Sequence, residues 1–209
     1  MPTVDRSDWL TLLARDTAPA SRTAGPLVIG RDGRARGAPF IASPNRDARP
    51  QGEAPTLVVV HGISLPPGEF GGDGIAHLFT NALDPMAHPF YASIAQLRVS
   101  AHFLVRRDGT PIQFVSCNER AWHAGVSRWR GRERCNDFSI GIELEGTDDL
   151  PYEPAQYLTL AALLQAAKRR YPRLAAAVGH SDVAPGRKTD PGPAFDWDRL
   201  ATLTGARRL

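Results

Sequence analysis

Polar and apolar positions along this chain follow two periods, and each predicts a set of elements. The cleanest period-two stretch is "FSIGIELEG" at 138–146. It puts Ile140, Ile142 and Leu144 on one face and Gly141, Glu143 and Glu145 on the other, the signature of a strand. "TLVVVH" (56–61) is a short, continuous apolar run, which predicts a buried strand ending at His61. "LAAAV" (174–178) predicts another, leading into Gly179-His180. "LRVSAHFLVRRDGTPIQFV" (97–115) is a hairpin signal, two strand-like runs joined across Asp108-Gly109. The helical period is clearest after Pro154, where Tyr157, Leu160, Ala161, Leu164 and Ala167 form a core-facing stripe. Residues 1–54 carry less pattern: "DWLTLLARD" (8–16) predicts a short helix and 26–41 a hairpin around Asp32-Gly33, with "HLFTNALD" (77–84) a further helix. In sum the order is strand, helix, two strands, strand, helix, strand. That is an α/β single domain with a mixed central sheet flanked by helices.

Composition narrows the class. A chain of 209 residues, 42% hydrophobic and 22% charged, suits one globular domain with a sizeable core. No apolar run is long enough to span a bilayer, and the start lacks a basic region followed by an apolar stretch. A cytoplasmic location with no membrane partner is the expectation. The net charge is only +3. Its densest basic cluster, "RWRGRER" (128–134), includes Glu133 and no repeating aromatic platform, so no nucleic-acid partner is expected. Cys117 and Cys135 are too few for a disulfide framework and read as free thiols.

The candidate chemistry centres on "GHSDVAPGRKTDPGPAFDW" (179–197), a polar loop stiffened by proline with little apolar to bury. His61 and His180 each end a strand-like run ahead of a Gly- or Pro-rich loop, at the rim of a sheet. Zinc hydrolases take three ligands from His, Asp or Glu and leave a fourth position for water. Asp182 and Asp190 both offer a third. Asp182 reads as a turn cap, and Asp190, ahead of Pro191, as the better ligand; the spacing alone is too loose to name a metal site. His77 and His88 have nothing to recommend them, His102 reads as structural, and His123 stands open between substrate contact and packing. On a strand that reads as buried, Glu143 must be paired, ligating or catalytic. Glu145 reads as a surface charge meeting arginines. Of 25 basic residues only Lys168 and Lys188 are lysines, and Lys188 lies inside the loop.

Four segments carry a family resemblance: "LVVVHGISLPPGEFGG", "HPFYASIAQLRVSAHFLVRRDGTPIQFV", "RAWHAGVSRWRGRERCNDFSIGIELEGTDDL" and the 179–197 loop. They are similar to the cytoplasmic 1,6-anhydro-N-acetylmuramoyl-L-alanine amidases of the zinc amidase and peptidoglycan-recognition superfamily. The resemblance implies the type 2 amidase fold over 36–205, with 1–35 as an N-terminal extension. It implies one Zn2+ per chain held by His61, His180 and Asp190, with Glu143 handling the water's proton and Lys188 facing the oxyanion. It also implies substrate contacts at Arg98, Trp122, Arg134 and Ala184, an anhydro-muropeptide substrate and a monomer. Family members carry Asn after the first zinc histidine, where this chain has Gly62, a departure from the family's pattern. The rival readings are a non-catalytic peptidoglycan-fragment binder and a wall-lytic amidase acting on intact peptidoglycan.

Overall fold

The predicted apolar runs lie side by side in the sheet. A computed structural model describes residues 10–11 and 27–208. At its centre, strand Leu57–Ile63 pairs in parallel with Ser139–Glu145 on one side and Ala176–Gly179 on the other. Ser139–Glu145 pairs in parallel with Phe103–Val105, which turns back into antiparallel Pro111–Gln113 as the hairpin signal predicts. At the far edge Leu10–Thr11 and Arg207–Arg208 add antiparallel, completing a seven-stranded mixed sheet.

One face of the sheet is the helix side. Val58, Val60, Phe103, Val105, Ile140, Ile142 and Leu144 share a core with the predicted stripe of helix Pro154–Arg170, all of it buried. That helix starts where the sequence says: Pro154 needs no N–H partner in the first turn, and Glu153 N–H donates to Gln156 Oε1 at 2.9 Å. Helix Trp197–Thr204, capped by Asp196 accepting from Arg199 N at 2.8 Å, packs beside it. On the opposite face helix Gly74–Phe79 covers Leu104, Ile112 and Phe114, while Leu57, Val59 and Val178 meet Phe138 and Val183.

Several expectations change. Within the predicted 8–16 helix, Leu10–Thr11 form a strand against Ala176 and Ala177, because the edge of Ala176–Gly179 otherwise leaves its N–H and C=O groups unpaired. The rest of that stretch lies outside the described residues. The predicted 77–84 helix starts earlier and stops at Phe79, where Thr80 Oγ1 turns back to Ala76 O at 2.8 Å and Asn81 takes φ 60°. The 26–41 hairpin forms, with Val28–Ile29 paired to Ala35–Arg36, and Leu27, Ile29 and Ala35 enter the main core. The 179–197 loop buries more than its composition suggests: Val183, Ala184, Phe195 and Trp197 are all buried.

Candidate active site

Strand register builds the site. His61 lies opposite Glu143, and Val60 opposite Gly179, so His180 leaves the next strand at the same level. All three sit at the carboxyl ends of parallel strands, where open α/β sheets place their ligands. Asp190 is brought to them by its loop. Ser181 N–H donates to Asp190 O at 3.0 Å, and the Tyr152 hydroxyl donates to Pro191 O at 2.9 Å. His61 Nδ1 and His180 Nδ1 end 3.0 Å apart, with Asp190 Oδ2 at 3.3 and 3.1 Å from them. Zinc ligands at about 2.0–2.1 Å in a tetrahedron stand about 3.3 Å apart. The triangle therefore has the size and the donor types that zinc takes, and it is the one such group among the described residues.

Electrostatics favour a cation there. Burial pushes the His61 imidazole down to about 4, against the pull of Asp190, so the ring is neutral and keeps a lone pair. Burial alone would raise the Asp190 carboxyl, but the close approach of the His180 and His61 rings at 3.1 and 3.3 Å outweighs it and holds the group well below the usual range. Beside them, Glu143 Oε1 lies 3.8 Å from His61 Nδ1, and Glu143 Oε2 is buried with no hydrogen-bond partner among the described residues. Burial, then the Asp190 charge, raises the Glu143 carboxyl well above its ordinary value, and Lys188 opposes them. An orphaned buried acceptor costs about 1–3 kcal/mol. Such a cost is tolerated where the group has work to do.

Residues 51–193 match the family described as N-acetylmuramoyl-L-alanine amidase. The chain belongs to this family. It is 63% identical over 168 residues to the 1,6-anhydro-N-acetylmuramyl-L-alanine amidase AmpD of Escherichia coli (strain K12), covering 80% of this chain and 92% of that protein. The crystal structure of a selenomethionine AmpD derivative superposes with a TM-score of 0.80 at 58% identity, over 82% of this chain and 97% of that one. The amidase AmiD from E. coli, solved with the substrate anhydro-N-acetylmuramic acid-L-Ala-D-gamma-Glu-L-Lys, matches at 30% identity and a TM-score of 0.51. That match covers 86% of this chain and 66% of AmiD. This protein is an amidase with the fold that its sequence resemblance implies.

The other expected site residues are placed less centrally in this amidase. Lys188 is exposed on the loop, its N–H bonded to Ala184 O at 3.0 Å, and its charge bears on both His61 and Glu143. Ala184 is buried, and its carbonyl already accepts from Arg187 and Lys188, which shapes the loop. The Asp47 carboxyl is held low chiefly by its hydrogen bonds with Arg120, and to a lesser degree by Trp122. The exposed Arg98 donates to the carbonyls of Ala95 and Leu97, and the exposed Arg134 lies 3.2 Å from Asp137. Asp182 accepts from Gly179 N at 2.6 Å, as the turn-cap reading expects.

Three positions differ from the reading of the sequence or go beyond it. Glu145 is not a surface charge: it is buried, and its oxygens accept from Gly71 N at 2.6 Å and Arg107 N at 3.0 Å. The loop before helix Gly74–Phe79 and the turn of the hairpin each bring one backbone N–H to it, and these replace the expected guanidinium partners. His123 sits against the site, its Nδ1 2.9 Å from His61 Nε2. The sequence leaves His123 open between substrate contact and packing; the signal that places it is Gly141, where a Cβ would run into the His123 ring. At Gly62 a Cβ would run into the Tyr152 hydroxyl, the group that donates to Pro191 O at 2.9 Å. His102 is structural as expected, its Nδ1 accepting from Gly141 N at 3.0 Å.

Proposed function

We propose that this amidase cleaves the bond between the lactyl group of 1,6-anhydro-N-acetylmuramic acid and L-alanine in muropeptides, with one zinc ion per chain held by His61, His180 and Asp190. The names and substrate of its relatives support the bond and the recycling role. The observation that carries the metal is the triangle of donor atoms 3.0–3.3 Å apart with the unpartnered Glu143 Oε2 beside it. The same reading gives a cytoplasmic monomer with no nucleic-acid or membrane partner, its catalytic domain spanning 36–205 behind the 1–35 extension. No helix of the described residues is long and apolar enough to cross a membrane.

Bound there, zinc lowers the pKa of a water to about 7 and polarises the scissile carbonyl. Glu143 takes the proton of the attacking water and passes it to the leaving nitrogen of L-alanine. The Lys188 ammonium, on the open side of the site, supplies charge to the oxyanion that forms. Arg98, Trp122, Arg134 and Ala184 surround the sugar and stem peptide in this reading.

The test is hydrolysis by the purified protein of anhydro-muropeptide and of intact sacculi, before and after chelation. The expected result is rapid release of the peptide from the muropeptide, abolished by chelator, restored by zinc, and weak on sacculi. Undiminished turnover after chelation would remove zinc from the account. Faster release from sacculi would replace recycling with wall lysis, and binding without cleavage would make the protein a sensor.

A further inference from the structure

A chain of polar contacts runs from the triangle into the protein. His61 Nε2 lies 2.9 Å from His123 Nδ1, His123 Nε2 lies 3.2 Å from Ser139 Oγ, and Ser139 Oγ lies 2.6 Å from Cys135 O. The last member decides the direction of all the others, because a backbone carbonyl can only accept. Ser139 must give its one proton to Cys135 O, which leaves its oxygen to accept. His123 then donates from Nε2. A neutral imidazole has a single N–H, so His123 Nδ1 is bare and accepts from His61 Nε2–H. The proton of His61 is thereby committed away from the triangle.

We infer that Ser139 and His123 are positioning residues that lock His61 in its Nε2–H tautomer, so that a bare Nδ1 faces the metal. The inference rests on the zinc reading of the triangle. The ring of His123 contacts His61, Ser139 and, edge-on, His102, groups that carry no negative charge to hold a second proton on it. The arrangement is built into the strand as well as into the side chains. Gly141 leaves open the place where the His123 ring lies, between Ser139 and Glu143 on one face, and a Cβ there would run into that ring. His180 needs no such relay, since its Nε2 faces Ala124 O at 3.4 Å directly. Ligand histidines are commonly oriented through the other ring nitrogen by a carboxylate, a carbonyl or water. Here the carbonyl acts from two side chains away.

The experiment measures zinc affinity by competition with a chelator and histidine tautomers by 15N NMR on the metal-free protein. In the wild type His61 should show the Nε2–H tautomer before any metal is added. Ser139→Ala should weaken zinc roughly 10–100-fold, the usual cost of losing such an outer partner, and should mix the tautomers of His123 and His61. Ser139→Thr, which keeps a hydroxyl on a side chain suited to a strand, should restore both. Gly141→Ala should weaken zinc in the same way with every relay residue still present. A wild-type His61 protonated on Nδ1 would overturn the inference without any variant having to fold. So would a folded Ser139→Ala protein with wild-type affinity and a single tautomer, or one that loses thermal stability alone. A wild type that takes up no zinc would instead sink the reading of the triangle.

Discussion

The two faces of strand Ser139–Glu145 are equally buried and obey different rules. The even positions, Ile140, Ile142 and Leu144, join one large apolar core under helix Pro154–Arg170, where an apolar residue of similar volume would serve. The odd positions each have a separate task. Ser139 bonds to Cys135 O and faces His123, Gly141 makes room for the His123 ring, Glu143 faces the triangle, and Glu145 pins two loops through Gly71 and Arg107. Burial by itself does not separate structure from function here. What separates them is whether a buried polar atom has its partner, and among the described residues Glu143 Oε2 is the one without.

The sharpest way to break this contrast is to make one substitution at two neighbouring odd positions. Glu143→Gln should keep zinc and lose about 10²–10⁴-fold in kcat, the usual worth of a general base. Glu145→Gln should leave kcat nearly intact and cost about 1–3 kcal/mol of stability, because its amide turns a donor toward a backbone N–H. Steady-state kinetics with urea unfolding of each variant reads both effects. If the two exchanged behaviour, the assignment of the strand's odd face would be wrong.

Lys188 comes next, and it tests whether the loop adds chemistry to the odd face. Lys188→Ala and Lys188→Arg should each lower kcat by about 10²–10³-fold with zinc content unchanged, as when one oxyanion donor is lost. The flat guanidinium does not fill the place of a compact ammonium. A fully active Lys188→Arg protein would make this lysine a solvated loop charge.

The even face supplies the matching structural case. Ile142→Ala should cost about 2–5 kcal/mol of stability, seen as a lower urea midpoint, with kcat per folded molecule unchanged. A large loss of kcat there would mean that the two faces are coupled.

The same contrast explains what could be read from the chain. The even face, the helix stripe from Tyr157 to Ala167 and the 97–115 hairpin were legible because periodicity reports which side is buried. His61 and His180 were legible as strand-end histidines, and Asp190 as the residue locked ahead of Pro191. Periodicity is silent about what covers a face, which is why Glu145 read as exposed and why His123 could not be assigned. The ring of His123 lies over a glycine 18 positions further along, and only folding brings them together. The polar loop before helix Trp197–Thr204 masks it in the sequence, although Asp196 and Gly205 cap it. Leu10–Thr11 took the strand form because a sheet edge needed a partner, a requirement set by the rest of the chain.

X-ray absorption at the zinc edge of the purified protein tests the central claim most directly. The account predicts about one zinc per chain with a first shell of two imidazole nitrogens and oxygen at about 2.0–2.2 Å, and His180→Ala should lose much of that occupancy. A sulfur shell from Cys117 or Cys135, or zinc that stays fully bound in His180→Ala, would contradict it.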